Sequence, residues 1–207
     1  MKPPLFSKMP RRTALGLALG ACFVPLLSAC DKLINPQFKS TDITGADYAK
    51  GFALTDHTGK PRTLVDFRGK VVSVFFGFTF CPDACPAALA EMREVMEKLG
   101  PAANDLQVLF ISVDPERDTQ ELLSKYVPAF HPSFIGLRGS VADVTKTAKD
   151  FKVFFAKVPG KTPGSYTVDH TSGTYVFDRQ GRVRLFVRHG QPVEGLLGDI
   201  KLLLGAK

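Results

Sequence analysis

Tryptophan is missing from this chain, and cysteine is scarce: there are four in 207 residues, against seventeen phenylalanines. Aromatic packing therefore falls to Phe, and four cysteines are too few for a disulfide-stapled scaffold of this length. The apolar run Thr13–Leu27 spans only 15 residues and is broken by Pro25, whereas a spanning helix needs about 20. Internal repeats and low-complexity tracts are lacking, and the 18 Gly and 15 Pro follow no collagen-like period. A hydrophobic fraction of 44% and a charged fraction of 23% exclude wholesale disorder, a coiled coil and a multi-span membrane protein. The length suits one domain with an appendage, or at most two small domains.

A concentrated positive surface is missing too, although the net charge is +7. Lys2, Lys8, Arg11 and Arg12 account for four of those charges within the first 29 residues, which hold no acid. The other 178 residues carry 23 basic and 20 acidic side chains, with no basic run interleaved with aromatics. Nucleic acid is therefore not an expected partner.

What is present begins with an address. The basic residues up to Arg12, followed by the short apolar run, read as a signal peptide over residues 1–29. The run ends in Leu27-Ser28-Ala29-Cys30, which resembles the lipobox of bacterial lipoproteins. Cleavage before Cys30 would make it a lipidated N-terminus, and several acyl chains hold a protein firmly on a membrane. Asp31 resembles an inner-membrane retention signal. Arg11-Arg12 leaves both the general secretory and the twin-arginine export routes open. The expected location is thus the periplasmic face of a bacterial cytoplasmic membrane. Residues 30–51 read as a tether and residues 52–207 as the folded domain.

Within that domain Val71–Phe76 and Leu106–Val113 read as buried strands. Weaker strands are expected over Phe52–Asp56 and Phe134–Leu137, and a hairpin over Gly173–Val187 turning at Arg179–Arg182. Helices are expected over Pro86–Leu99, Thr119–Tyr126 with Asp118 as cap, Val141–Phe151 and Pro192–Leu204. Pro159–Ser165 reads as a loop. Strands alternating with helices before a late hairpin describe an α/β domain with a mixed central sheet flanked by helices.

Cys22 leaves with the signal peptide and Cys30 is taken by lipid, so Cys81 and Cys85 are the cysteines of the domain. They lie in Phe76-Gly-Phe-Thr-Phe-Cys81-Pro-Asp-Ala-Cys85-Pro86, between a buried strand and a helix, where α/β folds put their sites. At i and i+4 on a near-helical segment both thiols face one side. Two thiolates form a soft site suited to Cu(I), and the same sulfurs are near enough to form a redox disulfide. Among His57, His131, His170 and His189, the candidate third ligand is His170, which follows the Pro/Gly-rich loop in Val168-Asp169-His170-Thr171. Asp169 is placed to orient its ring and Asp83 to shape the field between the cysteines. Asp114 and Asp118 read as turn and cap residues.

Taken together, Leu54-Thr-Asp-His-Thr-Gly59, Asp66-Phe-Arg-Gly-Lys70, Gly77-Phe-Thr-Phe-Cys-Pro-Asp-Ala-Cys-Pro86, Ser112-Val-Asp-Pro-Glu-Arg-Asp118 and Val168-Asp-His-Thr171 resemble the Sco/SenC family of copper proteins. The resemblance runs from about Phe52 to Leu204. It implies a thioredoxin-like fold and copper, Cu(I) or Cu(II), held by Cys81, Cys85 and His170. It also implies a metallochaperone role at the copper A site of cytochrome c oxidase. Phe80 departs from the pattern, since many members carry His there. The copper-binding oxidase subunit is the expected partner, with other periplasmic copper carriers beside it, and the chain is expected to act as a monomer and not as an enzyme.

A periplasmic thiol–disulfide oxidoreductase is the alternative, since such a fold with paired cysteines permits it. Against it, three residues rather than two separate the cysteines, no Pro precedes the late hairpin beside the dithiol, and dithiol exchange has no use for His170. A peroxidase would leave the second cysteine unexplained.

Overall fold

A computed structural model describes residues 37–205. The expected signal peptide and Cys30 lie outside the described residues. No helix among those described is long and apolar enough to cross a membrane.

The eight-stranded sheet runs in the order β1 (Thr41–Asp42), β10 (Val183–Arg188), β9 (Gly173–Phe177), β4 (Val71–Gly77), β5 (Leu106–Ser112), β6 (Ile135–Arg138), β2 (Ala53–Asp56) and β3 (Pro61–Thr63). Pairs β4–β5 and β5–β6 are parallel, and the rest are antiparallel. Central strands covered on both faces need apolar residues at every position. β4 and β5 come close to this: all their residues are buried, and only Ser73, Gln107 and Ser112 among them are polar. Four α-helices lie among the described residues: α1 (Ala84–Leu99), α2 (Gln120–Phe130), α3 (Val141–Asp150) and α4 (Val193–Gly205). The mixed sheet flanked by helices agrees with the expected α/β class.

Because side chains alternate along a strand, β4 divides the core. Val72, Val74 and Phe76 share a face with Tyr175 and Phe177, and Phe151 closes it, its ring centroid 5.1 Å from that of Phe76 and 5.3 Å from that of Tyr175. Ser73, Phe75 and Gly77 point the other way. There the Ser73 hydroxyl meets Met92 of α1 at 3.7 Å, and Phe75 meets Phe110. The candidate site opens on this second face.

Three expectations need correction. The tether assigned to residues 30–51 is folded from Phe38 onward. Lys39 and Ser40 donate their backbone N–H groups to the buried Asp199 carboxylate at 2.8 Å each, β1 pairs with β10, and Ala49 is buried. The segments on either side of the expected loop, for which no strands were expected, form a second, two-stranded sheet, β7 (Phe155–Pro159) with β8 (Tyr166–His170), and the loop itself is the turn that joins them. And α2 is capped not by Asp118 but by Thr119, whose hydroxyl accepts the Leu122 N–H at 3.1 Å.

Candidate metal centre

Gly77 ends β4 and forms the floor of the site. A Cβ there would stand 2.8 Å from Cys85 Sγ and equally close to the Phe110 and Phe75 rings, so the absent side chain lets α1 approach the sheet. Phe78 to Phe80 then leave the strand, and the Cys81 N–H returns to the Phe78 carbonyl at 3.2 Å. α1 begins at Ala84, two residues earlier than its apolar spacing suggested. Cys85 thus lies in its first turn and is fully buried. Cys81 precedes the helix, half-buried, with its sulfur 3.5 Å from the Cys85 N–H. Both cysteines are free thiols.

His170 arrives from the other side, at the end of β8. Its Nε2 stands 3.5 Å from Cys85 Sγ, and its Nδ1 lies 3.1 Å from the Thr171 carbonyl oxygen. A carbonyl only accepts, so Nδ1 is the donor and Nε2 keeps its lone pair toward the sulfurs. Phe75 and Phe78 hold the ring edge-on, with centroids at 6.0 and 5.9 Å. Burial holds the imidazole below its usual pKa and hence neutral, as a ligand must be. Burial also pushes the Cys85 thiol far up, outweighing the Phe78 N–H that favours its thiolate. The two sulfurs and one imidazole nitrogen lie within 4.8 Å of one another.

The two acids expected to support them are elsewhere. Asp83 is exposed at the helix N-cap and makes no capping bond with its side chain. Asp169 is exposed on the opposite face of β8 from His170, and its charge is the least of the influences on that ring. The Thr171 carbonyl and the two Phe rings do the orienting. His57, not chosen as a ligand, accepts the Gly136 N–H at 3.0 Å.

The run Ser112–Asp118 does more than turn a corner. The buried Asp118 carboxylate accepts the Thr79 hydroxyl at 2.6 Å, the Thr79 N–H at 3.2 Å and the Ser112 hydroxyl at 2.6 Å, which ties down the loop leading to Cys81. Its pKa is raised by burial. The buried Asp114 accepts Arg117 Nε at 2.5 Å and the Tyr166 hydroxyl at 2.9 Å. Arg117 donates to the Tyr166 carbonyl at 2.9 Å and lies 3.7 Å from that ring's centroid and 4.8 Å from that of Phe80. A salt bridge between Lys157 and Glu116 joins the same loop to β7. Two acids four residues apart, just past the C-terminal end of a buried strand, were the available sequence signal.

With this geometry in hand, comparison with known proteins is informative. The SCO1/SenC family model matches residues 40–205. A SCO2-like protein of Rickettsia prowazekii is 39% identical over 171 residues, covering 82% of this chain and 83% of its own. The structure of Bradyrhizobium japonicum ScoI with copper bound is 40% identical, covers 74% of this chain and 97% of its own, and superposes with a TM-score of 0.68. BsSco, described as having a disulfide switch and as a member of the Sco family of cytochrome c oxidase assembly proteins, is 27% identical. It covers 83% of this chain and 100% of its own, with a TM-score of 0.62.

Proposed function

Since the chain belongs to the SCO1/SenC family, we propose that it is a copper-binding metallochaperone for cytochrome c oxidase assembly, delivering copper to the copper A site or preparing that site's cysteines. The observation that carries this reading is the convergence of Cys81, Cys85 and His170 within 4.8 Å. Two thiolates select Cu(I), and imidazole suits Cu(II) as well. Three protein donors leave coordination positions open, so a recipient's ligands can displace them one at a time. A closed four-ligand site would retain the metal for structure. Copper here is cargo. Cys85 must give up its thiol proton as the metal enters, and the neutral His170 ring has none to give up at Nε2.

The chain acts as a monomer, held at the periplasmic face of the cytoplasmic membrane by lipid on Cys30. Cys30→Ala should release it into the soluble fraction or block its processing. Unchanged fractionation and migration would refute the anchor.

The oxidoreductase reading is separated by His170→Ala. Disulfide exchange depends on the thiolates and their access, so the variant should cycle between dithiol and disulfide as the parent does. It should bind Cu(II) far more weakly and lower oxidase activity in cells, with partial rescue by added copper. Oxidase assembly indifferent to His170→Ala but lost with either cysteine would favour the oxidoreductase.

A further inference from the structure

The Arg117 side chain, in the loop between β5 and α2, is only 24% exposed, and its Nη2 is buried with no hydrogen-bond partner among the described residues. Leaving a buried donor unmet costs stability, so other contacts must offset it. Those contacts face two ways along the chain. Nε donates to the buried Asp114 carboxylate at 2.5 Å, which fixes the group to its own loop. Nη1 donates to the Tyr166 carbonyl at 2.9 Å, and the guanidinium carbon lies 3.7 Å from the Tyr166 ring centroid. Phe80 and Phe78 bring their ring centroids to 4.8 and 5.8 Å from the same carbon. Phe80 immediately precedes Cys81, and Tyr166 opens the strand that His170 closes. Phe78 is also one of the two rings that hold His170 edge-on. One side chain therefore touches both the loop that carries Cys81 and the strand that carries His170.

A guanidinium suits this place, because its flat, weakly hydrated face packs on aromatic rings while its edge donates in a fixed fork. We propose that Arg117 is a positioning residue of the metal centre: held by Asp114, it packs on Phe80 and Tyr166 at once and fixes the spacing of the His170 imidazole from the two sulfurs. The inference rests on the copper reading above. Cys85 has its place from β4 and α1, which bury it. Cys81 and His170 are only half-buried and come from segments far apart in the chain, so their separation depends on what spans the gap. The loop after β5 is that bridge. Asp118 ties it to Thr79 on the cysteine side, Asp114 ties it to the Tyr166 hydroxyl on the histidine side, and Arg117 reaches both.

The test uses the full-length chain in detergent, titrated with Cu(II) and, separately, with Cu(I). Arg117→Lys keeps the positive charge but loses the flat face and the fork, and circular dichroism checks its fold. It should still bind one copper per chain. Its Cu(II) affinity should fall on the order of tenfold, the scale of one hydrogen bond to a charged group, because the imidazole that suits Cu(II) is no longer held. Its Cu(I) affinity, carried by the two sulfurs, should stay within about threefold. General destabilisation would lower both alike. Phe80→Leu removes one ring from the same contact and should weaken Cu(II) about threefold, the scale of an exposed cation–π contact. In a double-mutant cycle the two losses should not add, since each undoes the same contact. Glu116→Gln, which breaks the exposed Lys157 pair on the same loop, should leave both affinities unchanged. In the copper-free chain, the nuclear Overhauser signal between the His170 and Phe78 rings should weaken in Arg117→Lys. Equal losses for the two copper states, additive losses in the cycle, or an unchanged ring-to-ring signal overturn the proposal while leaving the copper site standing. If Arg117→Lys does not fold, Phe80→Leu decides, since its ring is 57% exposed: unchanged Cu(II) affinity there overturns the proposal. A parent that binds no copper overturns the copper reading itself, and this inference falls with it.

Discussion

The two halves of the metal centre are built in different ways. The dithiol half grows out of the main sheet: β4 is buried at every residue, Gly77 leaves no room for a side chain, and Cys85 is fully buried. The imidazole half stands on the β7–β8 hairpin, a separate two-stranded sheet in which only Val168 is buried. An isolated hairpin of this kind has little stability of its own. Polar contacts fasten it to the loop after β5: the Tyr166 hydroxyl to Asp114, Arg117 to the Tyr166 carbonyl, and Lys157 to Glu116. Close packing holds the Cys85 sulfur in place. Exchangeable hydrogen bonds hold the imidazole, which suits a site whose cargo must leave.

This contrast is open to direct attack, and the largest effect is expected in the sheet. Phe76→Ala removes a fully buried ring and should cost about 3–5 kcal/mol in urea unfolding. Gly77→Ala forces a methyl against Cys85, Phe110 and Phe75. It should cost about 1–3 kcal/mol and also weaken copper binding, whereas Phe76 lies on the other face of the sheet. If Gly77→Ala binds copper like the parent, the claim of a rigid dithiol floor fails.

A buried carboxylate in the main sheet supplies the pH test. Burial works against the charge of Asp56, but hydrogen bonds from Thr58, Arg62 and Lys60 outweigh it and hold its pKa well below the usual carboxylate range. The unfolded chain then binds the proton first. Asp56 therefore contributes its stabilisation in full above about pH 4, the unfolded value, and loses it progressively as the pH falls further. Asp56→Asn should flatten the acid limb of the stability curve below pH 4. A limb of unchanged slope would remove Asp56 from the account.

On the hairpin, Tyr166→Phe deletes one latch and should cost about 1 kcal/mol. Its signature is regional: amide exchange should quicken across residues 155–170 and stay slow in β4 and β5. Uniform acceleration would show that the two halves are one cooperative unit. The smallest effect is expected from Glu116→Gln, which breaks an ion pair whose partners are about half exposed. It should stay within about 0.5 kcal/mol.

The same division explains what could be read before the fold was known. The largely apolar runs of β4 and β5 and the helix that starts beside Cys85 are local signals, and they located the dithiol. The hairpin under His170 was not legible, because Pro159, Gly160, Pro163 and Gly164 interrupt the alternation of its short, exposed strands. Segment 38–51 looked like a tether because its anchor, Asp199, lies about 160 positions away. Asp118 looked like a cap because its place in the chain suits one. Its actual partners, Thr79 and Ser112, come together only when β4 and β5 pair.

The central claim is a copper site assembled from these two unlike halves. X-ray absorption at the copper edge of the Cu(I)-loaded full-length chain tests it most directly. Two sulfur scatterers and one imidazole nitrogen are expected, with the nitrogen lost in His170→Ala and the sulfurs lost in the Cys81→Ala/Cys85→Ala variant. A copper environment that survives both substitutions unchanged would contradict the account.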